Sequence, residues 1–372
     1  MRRFHDCIDL AEGDGTLSRE EAASLRDTHN RNTGGQGSFG FDEAAAARAT
    51  FDAFEAEQAV KRRQKLLAIQ AQQQQMFDAR GYRDPLGREN FNDGARAIYN
   101  STPFQAKSPG LAEIRDDVRG KLHSSLAQAF EKFERDLFGN TRNKALLSEV
   151  RDALFGKSNV PEGAKQIAVA WRIAAERARV MFNKAGGHIG FREDWGLPQG
   201  HDWEKIAVAA GEGATREASM RAWIDFVRPL LDRAKMINGV TGRPFNDAEL
   251  EIALVDTFEA ITTEGWSRRE PSGSKVGKSL GNRRADPRFL ILKDGAAWGA
   301  YMERFGEGDP FKVMMDYIDG MARDIALMQR FGPNPEAGME FLRQMVTREG
   351  ALSGLPKPKD KATSTVADLD AM

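Results

Sequence analysis

The densest set of chemically capable side chains lies between Met181 and Trp203. Two histidines, three acids and two tryptophans share an irregular stretch there: His188, Glu193, Asp194, Trp195, His201, Asp202 and Trp203. His188, Glu193, Asp194, His201 and Asp202 are of the right types to ligate a metal. No pair of histidines sits one helical turn apart to fix a site, however. Glu193 and Asp194 are candidate carboxylates for glycoside cleavage, but adjacent residues rarely face one substrate across the ~5–9 Å that such chemistry needs. The third reading is architectural, and it is preferred. Gly186, Gly187 and Gly196 supply permissive backbone angles, the tryptophans plug the core, and His201-Asp202 caps the next helix. The candidate structural motif is therefore Gly186, Gly187, Asp194, Trp195, Pro198, Gln199, His201 and Asp202.

Three other places invite chemistry. Asp14-Gly15-Thr16-Leu17-Ser18-Arg19-Glu20-Glu21 resembles the end of a calcium loop, yet its first ligand position is Leu10, which cannot bind a hard cation. The same residues make a helix start, with Ser18 as N-cap and Glu21 three positions on. Gly273-Ser274-Lys275-Val276-Gly277-Lys278-Ser279 suggests a phosphate loop, but Ser272 stands where the first glycine is required and no buried strand precedes it. From Trp266 to Lys293 there are eight Lys/Arg and two acids, while Asn246 to Glu264 holds six acids and no base. Arg268, Arg269, Lys275, Lys278, Arg283 and Arg284 are thus candidate nucleic-acid contacts. The preferred alternative is that basic loop and acidic helix neutralise each other. Cys7 has no partner but His5, so a nucleophilic enzyme is not supported. No catalytic residue, metal or cofactor is assigned, and no small-molecule substrate is expected.

These residues are positioned by a mainly α chain of 372 residues, which expects an irregular multi-helix bundle with at most a small β-hairpin near residues 262–293. Phe41 to Arg80 is almost free of Gly and Pro and rich in helix formers, so it predicts a long, partly exposed helix. The run Gln72-Gln73-Gln74-Gln75 within it is low complexity but short. Apolar residues at spacings of three and four mark four further helices, the clearest being Phe311, Met314, Met315, Ile318, Ala322, Ile325 and Met328. Each stripe is read as core. The best strand is Arg288 to Lys293, whose partner is sought near Thr262 to Trp266. Organisation follows composition. An acidic segment and flexible linker cover 1–40, a helical arm and Pro/Gly-rich connector 41–110, the main helical domain 111–350 and a disordered tail 351–372. No signal peptide or spanning helix is read. With 54 Lys+Arg against 55 Asp+Glu, a globally basic binder is disfavoured, and the single cysteine fits a cytoplasmic origin.

One ordered set of residues resembles a known family. It runs through Trp171, Glu176-Arg177, Asn183, Gly186-Gly187, Asp194-Trp195-Gly196-Leu197-Pro198-Gln199 and His201-Asp202. It continues through Pro229 to Arg233, Ile261 to Gly265, Arg288-Phe289-Leu290, Lys293-Asp294, Trp298, Tyr301 and Phe305-Gly306. It ends with Met321 to Ala326 and Gly332-Pro333-Asn334-Pro335. The series is similar to a region of the large internal virion proteins of tailed bacteriophages and prophages, over Phe130 to Val346. The resemblance implies a non-enzymatic protein of the phage particle, made in the host cytoplasm and acting in DNA ejection. It implies partners among other virion proteins or further copies of itself, contact with DNA, and transient contact with a membrane. Relatives can carry a peptidoglycan-cleaving domain. Its Glu-Ser and Gly-Leu-Met-Gln signals are missing here, so lytic activity is not implied. The main alternatives are a hydrolytic or metal-dependent enzyme using the Gly186–Trp203 loop and a nucleic-acid-binding module using residues 266–293.

Overall fold

A computed structural model describes residues 4–19, 21–23, 25–26, 29, 43–99, 108–124, 126–127, 144–192, 196–237, 243–263, 279–283 and 290–352. Among the described residues the chain is helical and carries only isolated β-bridges, so the mainly α expectation holds. The linker around residues 32–38, the tail from 355 and most of the basic segment lie outside the described residues. No described helix is long and apolar enough to cross a membrane.

The long helix runs from Glu43 to Gly81, 39 residues, and is the second helix, α2, after α1 (Phe4–Gly13). It has no interior Gly or Pro, and Ala, Gln, Glu and Lys hold it by propensity. Its C-terminal half is two-faced. Ala71, Gln75 and Ala79 are buried, while Leu66, Ile69, Met76 and Phe77 are exposed.

The chain divides into two compact units. The first comprises Met1–Arg62, Trp203–Ser267 and Arg288–Lys293. At its start Phe4, Ile8, Ala22 and Leu25 form a small core with Phe54 packed on it. Ser18 and Glu21 cap each other as expected: the Ser18 N–H donates to Glu21 Oε2 at 2.9 Å and the Glu21 N–H to Ser18 Oγ at 3.2 Å. Asp14 Oδ1 is meanwhile taken by the Thr16 N–H, so this segment is built as a helix start.

Elsewhere in this unit α7 (Trp203–Ala207), α8 (Arg216–Val227) and α9 (Asp247–Thr262) pack on one another. Trp223, Ile224 and Val227 face inward from α8, as do Leu250, Leu254 and Phe258 from α9, and the rings of Trp223 and Phe258 lie 5.9 Å apart. Asn246 and Glu249 close a capping box on α9. The strand signal at its far end resolves into one antiparallel bridge, Leu231 to Leu292. The Asp232 N–H donates to the Ile291 carbonyl at 2.7 Å and the Lys293 N–H to the Leu230 carbonyl at 2.9 Å. The partner is thus the turn after α8. Thr262, where a partner was sought, is the last residue of α9, and residues 264–278 lie outside the described residues.

The second unit comprises Arg63–Asp202, Arg268–Pro287 and Asp294–Met372. It contains α3 (Phe91–Ala97), α4 (Leu111–His123), α5 (Lys144–Leu154), α6 (Glu162–Lys184), α10 (Leu280–Arg283), α11 (Gly295–Phe305), α12 (Pro310–Phe331) and α13 (Pro335–Leu352). Its axis is α12, which packs against α4, α5, α6, α10 and α13. Asp309 caps the helix by accepting from the Lys312 N–H, Pro310 presets its first turn, and Gly332 at φ +88° ends it. Of the stripe read as core, Phe311, Met314, Ile318, Ala322, Ile325 and Met328 are buried, and Met315 is half-buried.

Candidate functional site

The stretch after α6 is placed by hydrogen bonds that begin inside the helix. Asn183 closes it as a two-point clamp, its amide donating to the Ile189 carbonyl at 2.9 Å and accepting from the Ile189 N–H at 2.7 Å. Arg179 adds a bond to the same carbonyl at 2.8 Å while gripping the Glu176 carboxylate with Nε and Nη2. These bonds hold the Glu176 carboxyl below its ordinary value, against a smaller opposing effect of burial. Arg63 of α2 donates to the Asn183 carbonyl and, at 3.2 Å, to that of Lys184. It thereby satisfies acceptors that the end of any helix leaves open.

The glycines have specific causes. Gly186 sits at φ +118°, a conformation side chains seldom adopt, and a Cβ there would lie 2.4 Å from Cγ of Pro333. At Gly187 an added Cβ would strike the ring of Phe182 at about 2.1 Å. The Gly186 carbonyl accepts from Gln64 Nε2 at 2.9 Å, and that amide also donates to Asn282 Oδ1 at 2.8 Å. Gly281 joins the junction through a bond from its N–H to the Pro333 carbonyl, 3.0 Å. Four separated segments therefore meet at Gly186: α2, the end of α6, α10 and the turn after α12.

Further on, indole N–H groups hold the loop from below. Trp171 donates to the Gly196 carbonyl at 3.1 Å and Trp298 to the Pro198 carbonyl at 3.2 Å. Leu197 and Pro198 are buried between them and Gln199 is half-buried. His201 Nδ1 lies 2.7 Å from the buried Tyr301 hydroxyl, and the Asp202 N–H donates to the Phe305 carbonyl at 2.9 Å. The plugging tryptophans are thus Trp171 and Trp298. Trp203, expected in that role, is 42% exposed because it opens the short helix α7, whose inward residue is Ile206.

Of the candidate motif, Gly186, Gly187, Pro198, Gln199, His201 and Asp202 are described, whereas Glu193, Asp194 and Trp195 lie outside the described residues. His188 is exposed. Among the described residues no group of three His, Cys, Asp or Glu side chains is gathered for a metal. The nucleic-acid candidates Arg268, Arg269, Lys275, Lys278 and Arg284 also lie outside the described residues, and for Arg283 only the backbone, at the end of α10, is described.

Two further features escaped sequence reasoning. One is a buried polar cluster. Arg330 Nη1 meets Asp78 Oδ2 at 2.6 Å, and the other Asp78 oxygen accepts from Ser108 Oγ at 2.9 Å and Gln74 Nε2 at 2.8 Å. Gln75 donates to the Arg330 carbonyl at 3.2 Å. The other is a groove of about 380 Å³ between α4 and α12, with Tyr99, Leu111 and Leu327 in its lining. Its two arginines, Arg115 and Arg323, are each bonded to the next residue in the chain, Asp116 and Asp324. No protein-family model, curated protein or solved structure matches the chain.

Proposed function

We propose that this chain is a non-enzymatic structural protein of a phage particle, an internal or ejection protein that assembles through helix faces. The supporting observation is the use to which the resembling residues are put. Trp171, Gly186, Pro198, Trp298 and Pro333 join elements of one unit to each other. Asn183, Arg179 and the two indoles bond to the loop's own backbone, which supports an architectural role for these residues. Mass spectrometry of purified particles tests the reading. The chain is expected at several copies per particle, and its absence from particles made by cells expressing it overturns the proposal.

A second reading is favoured by one observation. The acidic helix α9 is partly paired inside its own unit. Arg221 and Arg228 pair with Glu251, Arg216 with Glu259 and Arg233 with Asp247. Four arginines of residues 216–233 thus meet three of the six acids, and Glu249 serves its own capping box. With part of this acidic charge already engaged inside its own unit, the excess of Lys and Arg from Trp266 to Lys293 supports an external polyanion such as nucleic acid. Its affinity for DNA is then expected to fall steeply with salt. The slope of log K against log salt should shrink by about 0.7–0.9 for each phosphate contact removed. Exchanging Arg268, Arg269, Lys275, Lys278, Arg283 and Arg284 for glutamine supplies that test. A flat salt dependence of the unmodified chain refutes the reading.

A further inference from the structure

The contact between α4 and α12 changes character from one turn to the next. At one turn Arg119 grips Asp319 with two bonds, Nε to Oδ1 at 2.8 Å and Nη2 to Oδ2 at 3.1 Å. One turn further, four residues back along α4 and four residues on along α12, the corresponding positions are Arg115 and Arg323. Both line the groove of about 380 Å³ between the two helices. A base thus meets an acid at one turn, and at the next two bases border a shared hollow.

Neither guanidinium is fully engaged. Each directs Nε and Nη2 at a single oxygen of the next residue, Arg115 at Asp116 Oδ1 (both 3.1 Å) and Arg323 at Asp324 Oδ1 (3.3 and 3.2 Å). These bonds are longer than the about 2.7–2.9 Å of a strong charge-assisted pair. Among the described residues Nη1 of both arginines has no acceptor. The two aspartates balance the charge but leave these donors unused. The arginine side chains are 51% and 66% exposed, so an anion from solvent can reach them. The rest of the lining is apolar. Leu111, Ala112 and Leu327 are half-buried, and the buried Tyr99 ring rests on Phe331 with centroids 5.0 Å apart. The volume lies at the small end of the ~300–1,000 Å³ typical of ligand pockets.

We propose that this groove binds a free medium-chain carboxylic acid, its chain against Leu111, Ala112 and Leu327 and its carboxylate between Arg115 and Arg323. The carboxylate supplies to that turn what Asp319 supplies to the turn beside it, and its planar pair of oxygens matches the forked guanidinium donors. An inorganic anion leaves the apolar lining in water, and a neutral alcohol brings no charge to the arginines. A molecule with an apolar body and one anionic head satisfies both parts of the site. The groove lies wholly within the second unit, and the proposal is independent of the virion reading.

Isothermal titration of octanoate into the full chain tests it. A dissociation constant of about 0.1–1 mM is expected for a ligand of this size on an open groove. Hexanoate is expected to bind more weakly, by up to about fourfold for each methylene it lacks. Octanol is expected to bind about tenfold more weakly than octanoate, since it forms no ion pair with either arginine. Arg115→Gln and Arg323→Gln should each weaken octanoate about two- to fivefold, the range of exposed ion pairs, and leave octanol unaffected. Ala112→Phe and Leu327→Trp fill the hollow from different walls and should abolish binding of both. Melting curves confirm that each variant folds. Arg115→Gln, whose neighbour Asp116 is itself exposed, carries the charge test if loss of Arg323 unsettles the buried Asp324. The proposal is overturned if octanoate does not bind at about 10 mM, if octanol binds as tightly, or if a folded groove-filling variant binds octanoate unchanged.

Discussion

Replacing Arg330 by methionine is expected to destabilise the unit that contains α12 by about 3–5 kcal/mol, read from the midpoint and slope of urea unfolding. The Arg330 and Asp78 side chains are only 5% and 7% exposed, so both charges have left water. Their desolvation is offset by a 2.6 Å bond between them and by the ring of partners around each. Arg330 Nε reaches the Ile98 carbonyl, while Ser108 and Gln74 complete the carboxylate. Removing the guanidinium strands the carboxylate, and Asp78→Leu strands the guanidinium in the same way. The double variant Arg330→Met/Asp78→Leu is expected to cost less than either single change, since no unpaired charge remains. Its residual cost measures the donors of Ser108 and Gln74 left without an acceptor. A single-variant cost near that of a surface pair, below about 1 kcal/mol, would show that water reaches the cluster and would refute this account.

That cluster also shows what local pattern can reveal and what it cannot. Asp78 and Arg330 are 252 residues apart, and a lone Asp-Ala-Arg in a helix announces nothing about a distant partner. The glutamine run was read as low complexity because amide donors have no period. Gln74 and Gln75 of that run nevertheless tie α2 to Ser108 and Arg330, as Gln64 ties it to Gly186. Apolar residues do have a period, and so the helices were legible. Phe311 to Met328 lies buried along α12 as the 3.6-residue repeat requires. Capping was legible for the same reason: Ser18–Glu21 obeys a three-residue spacing that the backbone dictates. The strand signal at Leu290–Leu292 was genuine as an extended segment. Its partner was misplaced because bridge pairing between Leu231 and Leu292 depends on how distant segments meet, not on neighbouring residues. The loop glycines could be picked out by type, but their cause lies in Pro333 and Phe182.

Trp171→Ala is expected to destabilise the same unit by about 3–5 kcal/mol and to free the loop that follows α6. The side chain is fully buried, its ring meets Tyr317 edge-on at 5.7 Å, and its N–H holds the Gly196 carbonyl. Two consequences can be separated by size. Trp171→Phe keeps much of the apolar volume but leaves a buried carbonyl without its donor, so it should cost less, with about 1–3 kcal/mol from the lost bond alone. If the indole N–H is what holds the loop, trypsin will cut at Arg192 faster in the phenylalanine variant than a uniform loss of stability predicts. Opening of the loop would then outrun global unfolding. Trp298→Phe provides the companion measurement at the Pro198 carbonyl, three residues from His201 and still within the same strap. Comparable acceleration in both variants means the two indoles fasten one element. Cleavage that merely follows global stability in both would mean the loop is held by Asn183 and Arg179 at its near end, and that the indoles serve the core rather than the loop. The His201→Ala variant then separates architecture from chemistry. In a structural loop it lowers stability by removing a partner of the buried Tyr301 hydroxyl, and the proteolysis pattern shifts with it, as the 2.7 Å bond requires.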